Sequence, residues 1–251
     1  MSQYSIVITT FDKRFNECLV PLIKALKSQN NEVEIIVMVN GRAHQDFDEE
    51  YRSELLRFLS DHKNCFPSIM TSFQSLSKLW NRGILTASHD QVLVLNDDIT
   101  ALSNEEGNFL KELDHVMKTQ QGTFKINGSF SHFMIDKKEL MQIGFFDERL
   151  LGIGEEDGDF VWRYYQQFQR EIPSIPFKYI DNTGSDLSDD GYQKGIRQYS
   201  QFNRDFIKRE KYQKTLIGGY KGMFDNRVKK VLPDEKQYPY EEFYRTYKSK
   251  L

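Results

Sequence analysis

The sequence predicts an α/β fold in which a mainly parallel sheet carries helices on both faces. The first hundred residues alternate short apolar segments with segments of helical periodicity, which is the pattern of parallel strands joined by crossover helices. The chain of 251 residues is long enough for one large domain with a sizeable core. Its composition, 39% apolar and 28% charged, is that of a globular protein and excludes wholesale disorder.

Each predicted element follows from local patterning. Buried strands are short runs rich in Val and Ile, and helices show apolar residues three or four positions apart. Pro21 falls in the first turn of the first helix or kinks it, and Ser103-Asn-Glu-Glu106 is a capping box that we expect to open another. The predicted strands are 4–10, 33–39, 68–73, 91–95, 177–180 and two short ones around Asn127-Gly128. The predicted helices run from about 15 to 26, 49 to 61, 76 to 87, 103 to 119 and 155 to 170.

Charge is distributed unevenly along the chain, although the net charge is only −3. Residues 194–251 carry 15 Lys and Arg against 7 Asp and Glu, whereas residues 1–193 have a balance of −11. We therefore predict an α/β domain over 1–193 and a basic, aromatic-rich helical extension over 194–251, packed on or beside it. The extension either docks on an anionic membrane surface or carries a solvated helix face. The acidic body disfavours nucleic acid as a partner.

Three features bear on the compartment. No apolar run approaches the ~20 residues that span a bilayer, and the first ten residues lack the basic and apolar regions of a signal peptide. Cys18 and Cys65 fit neither a disulfide framework nor a zinc site. We expect a cytoplasmic protein whose basic extension makes any peripheral contact with the inner face of the membrane.

Polar side chains directly follow the predicted strand 91–95, as Asn96-Asp97-Asp98. Ligands of open α/β sheets bind at the carboxyl ends of the strands. Two adjacent carboxylates there require a nearby cation, and a divalent ion held by one or two carboxylates and by substrate phosphates meets that need. The same three residues also suit a solvated turn, so the residues alone leave both interpretations open.

A second acidic group, Gly154-Glu-Glu-Asp-Gly-Asp159, lies at the start of the last predicted helix. The helix dipole accounts for one or two acids there, but not for four. A carboxylate in a cleft is the usual general base for activating a hydroxyl. In Leu79-Trp-Asn-Arg-Gly-Ile84, Gly83 suits close helix packing and Trp80 suits the core. The five histidines show no metal-ligand spacing, and we expect surface or satisfied core residues.

The order of these motifs resembles that of the family 2 glycosyltransferases, which have the GT-A fold. The resemblance covers about residues 4–210 and is carried by Ser5-Ile-Val-Ile-Thr-Thr-Phe11, Glu34-Ile-Ile-Val-Met-Val-Asn40, Asn81-Arg-Gly83, Leu95-Asn-Asp-Asp98, and Phe146-Asp147 followed by Glu156-Asp157. It implies a Rossmann-like nucleotide-diphospho-sugar transferase domain with a mainly parallel sheet and, in this chain, a helical C-terminal extension. The first strand is followed by no phosphate-binding P-loop or dinucleotide fingerprint, and the sequence lacks a serine-hydrolase elbow.

The resemblance implies a role for each matched residue. Of the Glu156-Asp157 pair, Asp157 matches the general base and Glu156 is its competitor. Asp98 matches the ligand of a divalent ion, Mn²⁺ or Mg²⁺. The residues that match donor-binding positions are Thr10, Phe11, Asn40, Asn81, Arg82, Asn96 and Asp97.

The resemblance also implies a metal-dependent, inverting hexosyl- or N-acetylhexosaminyltransferase. Its donor is a nucleotide-diphosphate sugar, with a UDP-sugar favoured, and its acceptor is a glycan or lipid-linked molecule, as in bacterial surface polysaccharide synthesis. The first alternative is a non-catalytic carbohydrate- or nucleotide-binding module with the same fold. Asn40 and Asn96 favour it, because relatives often carry acids there. The second is a nucleotidyltransferase-like sugar enzyme, which the glycine-free segment 6–13 disfavours.

Overall fold

The computed structural model describes residues 4–42, 45–182 and 192–207, and only the backbone of 192–198. The described residues divide into two compact units. The first unit contains residues 4–42, 45–73, 82–140 and 172–182, and the second contains 74–81, 141–171 and 192–207. Most of the predicted basic extension lies outside the described residues, so the division at residue 193 stays a prediction.

A seven-stranded mixed sheet organises the first unit. In the order β10-β8-β9-β4-β1-β2-β3, the four strands β4, β1, β2 and β3 run parallel, and β9 is antiparallel to both of its neighbours. This confirms the predicted mainly parallel sheet. The strands are β1 (Tyr4–Phe11), β2 (Glu34–Asn40), β3 (Cys65–Ile69), β4 (Gln91–Asn96), β5 (Ile99–Ala101), β6 (Ser103–Asn104), β7 (Gly107–Asn108), β8 (Phe124–Ile126), β9 (Ser129–Asp136), β10 (Ser174–Ile175) and β11 (Ile180–Asn182).

Helices connect the parallel strands, as the alternating pattern predicts. A 3-10 turn (Asp12–Arg14) and a π-turn (Phe15–Leu19) lead into the first α-helix, which has Pro21 in its first turn as predicted. No described helix is both long and apolar enough to cross a membrane. The α-helices are α1 (Val20–Gln29), α2 (Glu49–Ser60), α3 (Leu76–Thr86), α4 (Phe109–Val116), α5 (Lys137–Ile143), α6 (Glu156–Phe168) and α7 (Tyr192–Phe206).

The core of the first unit lies against both faces of β1. Ile6 and Ile8 are fully buried in a cluster with Leu26 of α1, Leu55 of α2 and Leu113 of α4. Successive side chains of a strand alternate between faces, so the apolar residue between the two isoleucines points to the opposite side. Every residue of β1 from Tyr4 to Thr10 is buried, which explains why its middle, residues 6–8, is an unbroken apolar run instead of an alternating one.

Gly83 of α3 packs against the second face of the sheet. A Cβ atom there would lie 2.4 Å from Val7 Cγ1, closer than real contacts allow, and 3.0 Å from Met38 Cγ, which is a tight contact. The predicted close packing at Gly83 is therefore present, and it outweighs the helix propensity that glycine lacks.

We expect Gly83→Ala to lower the free energy of unfolding by about 1–2 kcal/mol. Alanine gains about 1 kcal/mol of helix propensity. Overpacking usually costs about 1–3 kcal/mol, and the 2.4 Å approach to Val7 places this site in the upper part of that range, at about 2–3 kcal/mol. Urea denaturation measures the change. Thr86→Ala, at an exposed position of the same helix, serves as the control and is expected to stay within about 0.5 kcal/mol of the wild type. A Gly83→Ala variant as stable as the wild type would contradict the close packing.

Several predicted elements are wrong in position or type. Ser103-Asn-Glu-Glu106 opens no helix: β6 and β7 form a small hairpin there, in which Asn104 Oδ1 accepts from the amides of Glu106 and Gly107. The following helix, α4, begins at Phe109 with Asn108 as its N-cap. Strand β3 lies a few residues before the predicted 68–73. Strands β10 and β11 flank or overlap only the ends of 177–180, and helix α5 was not predicted.

Candidate active site

In the first unit, the predicted donor residues lie at the carboxyl ends of neighbouring strands. The parallel register pairs Phe11 of β1 with Asn40 of β2, and Thr9 of β1 with Asn96 of β4. Thr9 Oγ1 donates a hydrogen bond of 3.4 Å to Asn96 Oδ1. Segments far apart in the sequence therefore meet at one edge of the sheet, where open α/β sheets bind their ligands.

Two side chains from the end of β1 and the turn after it hold the acidic pair Asp97 and Asp98. Thr10 Oγ1 donates to Asp97 Oδ2 at 2.7 Å. Arg14 Nη1 donates to Asp97 Oδ1 at 2.8 Å and to Asp98 Oδ2 at 3.2 Å. Burial raises the pKa of Asp97 to about 6, against the opposing effects of Arg14 and Thr10, so the group is ionised at neutral pH. The protein itself therefore supplies a cation beside the pair.

One oxygen of the acidic pair lacks a hydrogen-bond partner in the described part of the chain. Asp98 Oδ1 is buried and has no hydrogen-bond partner among the residues that the structure describes. His132 lies on β9 opposite Leu95 and is 3% exposed, and its Nδ1 also lacks a partner within the described chain. Burial lowers the pKa of His132, while the charge of Asp98 raises it. The expectation of a surface or satisfied histidine is wrong for His132.

These groups fit a divalent ion whose coordination a nucleotide completes. Asp98 offers one carboxylate oxygen, and its unpartnered Oδ1 is the atom a cation would satisfy. Within residues 4–42, 45–182 and 192–207, no group of three or more His, Cys, Asp or Glu side chains could hold a metal ion. Hard divalent ions are often bound by one or two carboxylates together with substrate phosphates.

In the second unit, four acids lie around the start of α6. Glu155 precedes the helix with a φ of 74°, a left-handed conformation that is uncommon and strained for a residue with a side chain. Glu156 and Asp157 form the first turn. Glu156 is 6% exposed, whereas Asp157 is half-buried. Of the two predicted catalytic residues, Asp157 is therefore the more exposed.

Arginines compensate two of these four acids. Arg204 Nη2 of α7 donates to Glu155 Oε1 at 2.9 Å, and Arg163 Nε donates to Asp159 Oδ2 at 2.9 Å. The second pair is buried, and Arg163 also donates to the backbone carbonyl of Phe145. Glu155 and Asp159 thus have structural roles that fix the start of α6.

Glu156 has a proton at neutral pH. Burial is the main cause that raises its pKa to about 8, and the charge of Asp157 adds to the shift. Its Oε2 accepts a hydrogen bond of 2.6 Å from the backbone amide of Gly154. A general base must be unprotonated to accept a proton. The structure therefore favours Asp157 over Glu156 for that role.

Helix α7 fixes the loop that leads to α6. Asn203 is fully buried; its amide donates to the carbonyls of Leu151 (2.9 Å) and Gly154 (2.7 Å), and its Oδ1 accepts from the amide of Leu151 at 2.7 Å. A Cβ on Gly152 would lie 2.3 Å from Cδ2 of Tyr199. The loop glycines therefore allow a close approach to α7, a helix whose positioning role sequence patterning did not indicate.

Two of the predicted donor residues, Asn81 and Arg82, lie on helix α3 and not at the carboxyl ends of the strands. Asn81 is fully buried in the second unit; its Nδ2 donates to the carbonyl of Phe146 at 2.8 Å and to Glu148 Oε1 at 3.1 Å, and its Oδ1 accepts from the amide of Phe146. Because both groups of the amide already have protein partners, the structure does not support a donor contact by Asn81. Arg82 is exposed on α3 and stays a prediction.

We expect Glu156→Gln to stabilise the protein at alkaline pH. The native state keeps the proton up to about pH 8, whereas the unfolded chain releases it near 4.5. The native state binds more protons between these values, so stability falls as the pH rises through that window, by up to about 1.4 kcal/mol per pH unit. The variant lacks this loss and should gain a few kcal/mol over the wild type at pH 9, and little at pH 5.

Urea denaturation at pH 5 and pH 9 measures this difference. Glu54→Gln, at an exposed position of α2, is the matched control and should not change the pH dependence. A Glu156→Gln variant with the same pH dependence as the wild type would show that Glu156 ionises normally in the native state.

Known structures resemble this chain in fold. No protein-family model and no curated protein matches it. S. aureus TarS superposes with a TM-score of 0.56 at 16% identity, over 82% of this chain and 44% of TarS, so the chain spans less than half of that protein. The structure of TarS residues 1–349 gives a TM-score of 0.55 over 86% of this chain and 76% of that fragment, also at 16% identity.

Two other solved structures contain nucleotide and metal. Glucosyl-3-phosphoglycerate synthase from Mycobacterium tuberculosis, in complex with Mn²⁺, UDP and glucosyl-3-phosphoglycerate, has a TM-score of 0.53 at 12% identity over 80% of this chain and 79% of that chain. Mannosyltransferase PcManGT from Pyrobaculum calidifontis, in complex with GDP-Man and Mn²⁺, has a TM-score of 0.54 at 10% identity over 78% and 61%. These similarities confirm the predicted GT-A fold.

Proposed function

We propose that the protein transfers a sugar from a nucleotide-diphosphate sugar to an acceptor hydroxyl. The observation that carries this proposal is the acidic pair at the carboxyl end of β4, where Asp98 has a buried oxygen without a partner among the described residues. The solved structures of the same fold support it, because several of them contain UDP, UDP-GlcNAc or GDP-Man. We favour a UDP-sugar as the donor, with a hexosyl or N-acetylhexosaminyl group.

In the first unit, we propose that the half-buried side chains bind the donor and the buried ones position them. Phe11, Asn40 and Asn96 are partly exposed at the ends of their strands, and an amide can both donate to and accept from a pyrimidine edge. Thr10 and Asp97 are 3% and 2% exposed. We therefore assign them to positioning, since Thr10 bonds to Asp97 and Asp97 bonds to Arg14.

Asp98 would hold the divalent ion, Mn²⁺ or Mg²⁺, through its Oδ1. Such an ion supplies charge stabilisation to the diphosphate as leaving group. We propose His132 Nδ1 for a second protein contact, because this buried atom has no partner within the described chain and the charge of Asp98 raises the pKa of its imidazole against the effect of burial.

In the second unit, we propose Asp157 as the general base. It would take the proton from the acceptor hydroxyl as that oxygen forms a bond to the anomeric carbon and the nucleoside diphosphate leaves. Attack opposite the leaving group inverts the anomeric configuration and needs no covalent enzyme intermediate. Phe160 is fully buried and stacks on Phe146 with 4.4 Å between ring centroids, so the base projects from a helix that is anchored in its unit.

We propose a glycan or lipid-linked acceptor, as in bacterial surface polysaccharide synthesis. The proposal rests on the basic extension 194–251, which would bring the protein to an anionic membrane surface on the cytoplasmic side. Flotation with anionic vesicles tests it, and binding that is absent or insensitive to salt would contradict it.

Release of nucleoside diphosphate from a panel of UDP-, GDP- and dTDP-sugars, in Mn²⁺ or Mg²⁺, tests the transferase proposal. We expect one donor to raise the melting temperature, because a ligand of the native state stabilises by mass action. With a glycan acceptor, the same donor should release diphosphate faster in the wild type than in Asp157→Asn. A donor that stabilises both proteins but is turned over by neither would instead support the non-catalytic binding module.

A further inference from the structure

Arg14 is the charged neighbour of both carboxylates at the proposed donor site. Its Nη1 lies 2.8 Å from Asp97 Oδ1 and 3.2 Å from Asp98 Oδ2, and the three side chains are 11%, 2% and 16% exposed. A single guanidinium nitrogen thus bridges the pair in a partly dehydrated environment, where charge interactions are stronger than in water.

The backbone holds Arg14 at this place. It ends the 3-10 turn that follows β1, and its guanidinium carbon lies 5.3 Å from the ring centroid of Phe11. The next residue, Phe15, is buried and makes edge-on ring contacts with Tyr51 and Phe58 of α2. The position of Arg14 is therefore fixed by its surroundings, unlike that of a freely moving surface arginine.

We propose that Arg14 makes binding of the divalent ion conditional on the nucleotide. Two carboxylates and one guanidinium leave one net negative charge, and a divalent ion added at Asp98 would reverse its sign beside a buried cation. The guanidinium and the ion would also share the Asp98 carboxylate. The ion alone therefore binds weakly, and Arg14 serves as the counter-cation of the nucleotide-free protein.

A nucleoside diphosphate removes this conflict. This step rests on the proposed function, because the phosphates supply the negative charge that both cations then share. The ion and the nucleotide must consequently raise each other's affinity by the same factor. Arg14 is in this sense a positioning residue. It acts through the carboxylates and makes tight binding of the ion depend on the nucleotide.

Binding of Mn²⁺ alone separates this role from a merely structural one. We expect the wild type to bind Mn²⁺ at least tenfold more tightly with UDP than without it, as titrations followed by electron paramagnetic resonance of free Mn²⁺ would show. Arg14→Gln should bind Mn²⁺ without UDP at least tenfold more tightly than the wild type. Its melting temperature should be lower without the ion and rise more on Mn²⁺ addition, because the carboxylates have lost their cation.

Two further variants sharpen the test. Arg42→Gln removes an arginine of the same unit that pairs with Asp12 at 2.7 Å, and it should bind Mn²⁺ like the wild type. Arg14→Lys keeps the charge, so it should retain weak binding of Mn²⁺ alone. If this variant bound Mn²⁺ without UDP at least tenfold more tightly than the wild type, the charge argument would be overturned, even where the glutamine variant fails to fold.

The outcomes distinguish this inference from the proposed function. If UDP tightens Mn²⁺ binding but Arg14→Gln matches the wild type without UDP, the role of Arg14 is overturned and the transferase proposal stands. If neither the wild type nor any variant binds Mn²⁺ with UDP present, the role of Arg14 and the metal assignment both fail.

Discussion

Asp157→Asn is expected to lower sugar transfer by roughly 10²–10⁴-fold and to leave the affinity for the nucleotide-sugar nearly unchanged. The asparagine has almost the shape of the aspartate but cannot accept a proton from the acceptor. Initial rates of diphosphate release and calorimetric titration with the donor measure the two quantities. The separation is expected because Asp157 would act on the acceptor hydroxyl, whereas the residues proposed to bind the donor are Phe11, Asn40, Asn96 and Asp98.

Glu156→Gln is the decisive comparison for this assignment. Glu156 is buried and, with a pKa raised to about 8 by burial, already has its proton at neutral pH. Its variant should therefore keep much more activity than Asp157→Asn. The assignment of Asp157 fails if Asp157→Asn retains wild-type turnover, or if it loses donor affinity and turnover together.

Sequence patterning predicted the parts of the fold that depend on local apolar runs. Strands β1, β2 and β4 each contain an unbroken apolar run because helices cover both faces of the sheet, and such runs are visible without a structure. The acidic pair was equally visible, since it directly follows β4. The charge argument required a cation beside the pair and predicted a divalent ion; the structure has the guanidinium of Arg14 there, and the divalent ion stays a prediction.

The identity of that cation was not predictable from the motif. Arg14 lies more than eighty residues before the pair, and only the parallel register of β1 with β4 brings the two segments together. His132 was missed for a related reason. Spacing along the chain does not reveal this residue, because it is the antiparallel pairing of β9 with β4 that places His132 opposite Leu95.

Local signals also competed with one another. Ser103 and Glu106 match a capping box, but Asn104 lies between them and binds the amides of the turn with its own side chain. Asn108 then caps α4 instead. The glycines of the loop before α6 are visible in the sequence. Asn203, which bonds to Leu151 and Gly154 of that loop, lies some fifty residues further along the chain, so these contacts come from tertiary packing alone.

Substitution of the two members of the acidic pair should have opposite effects on UDP affinity and on stability. Asp98→Asn is expected to weaken Mn²⁺-dependent binding of UDP by roughly 10²-fold or more, about 2.7 kcal/mol, because it removes the charged oxygen that would hold the ion. Its effect on stability should stay below about 1 kcal/mol, since its bond to Arg14 is long, at 3.2 Å, and its loss also relieves carboxylate repulsion. Binding of UDP in EDTA should match the wild type.

Asp97→Asn should show the reverse pattern. Both oxygens of Asp97 have short hydrogen bonds, to Thr10 at 2.7 Å and to Arg14 at 2.8 Å. An amide can replace only one of these acceptors, so the free energy of unfolding should fall by roughly 1–3 kcal/mol. The loss of Mn²⁺-dependent UDP affinity should be smaller than in Asp98→Asn, because Arg14 still orients Asp98. Urea denaturation and calorimetry of both variants decide the matter: if Asp97→Asn lost more UDP affinity than Asp98→Asn, the roles assigned to the two carboxylates would be exchanged.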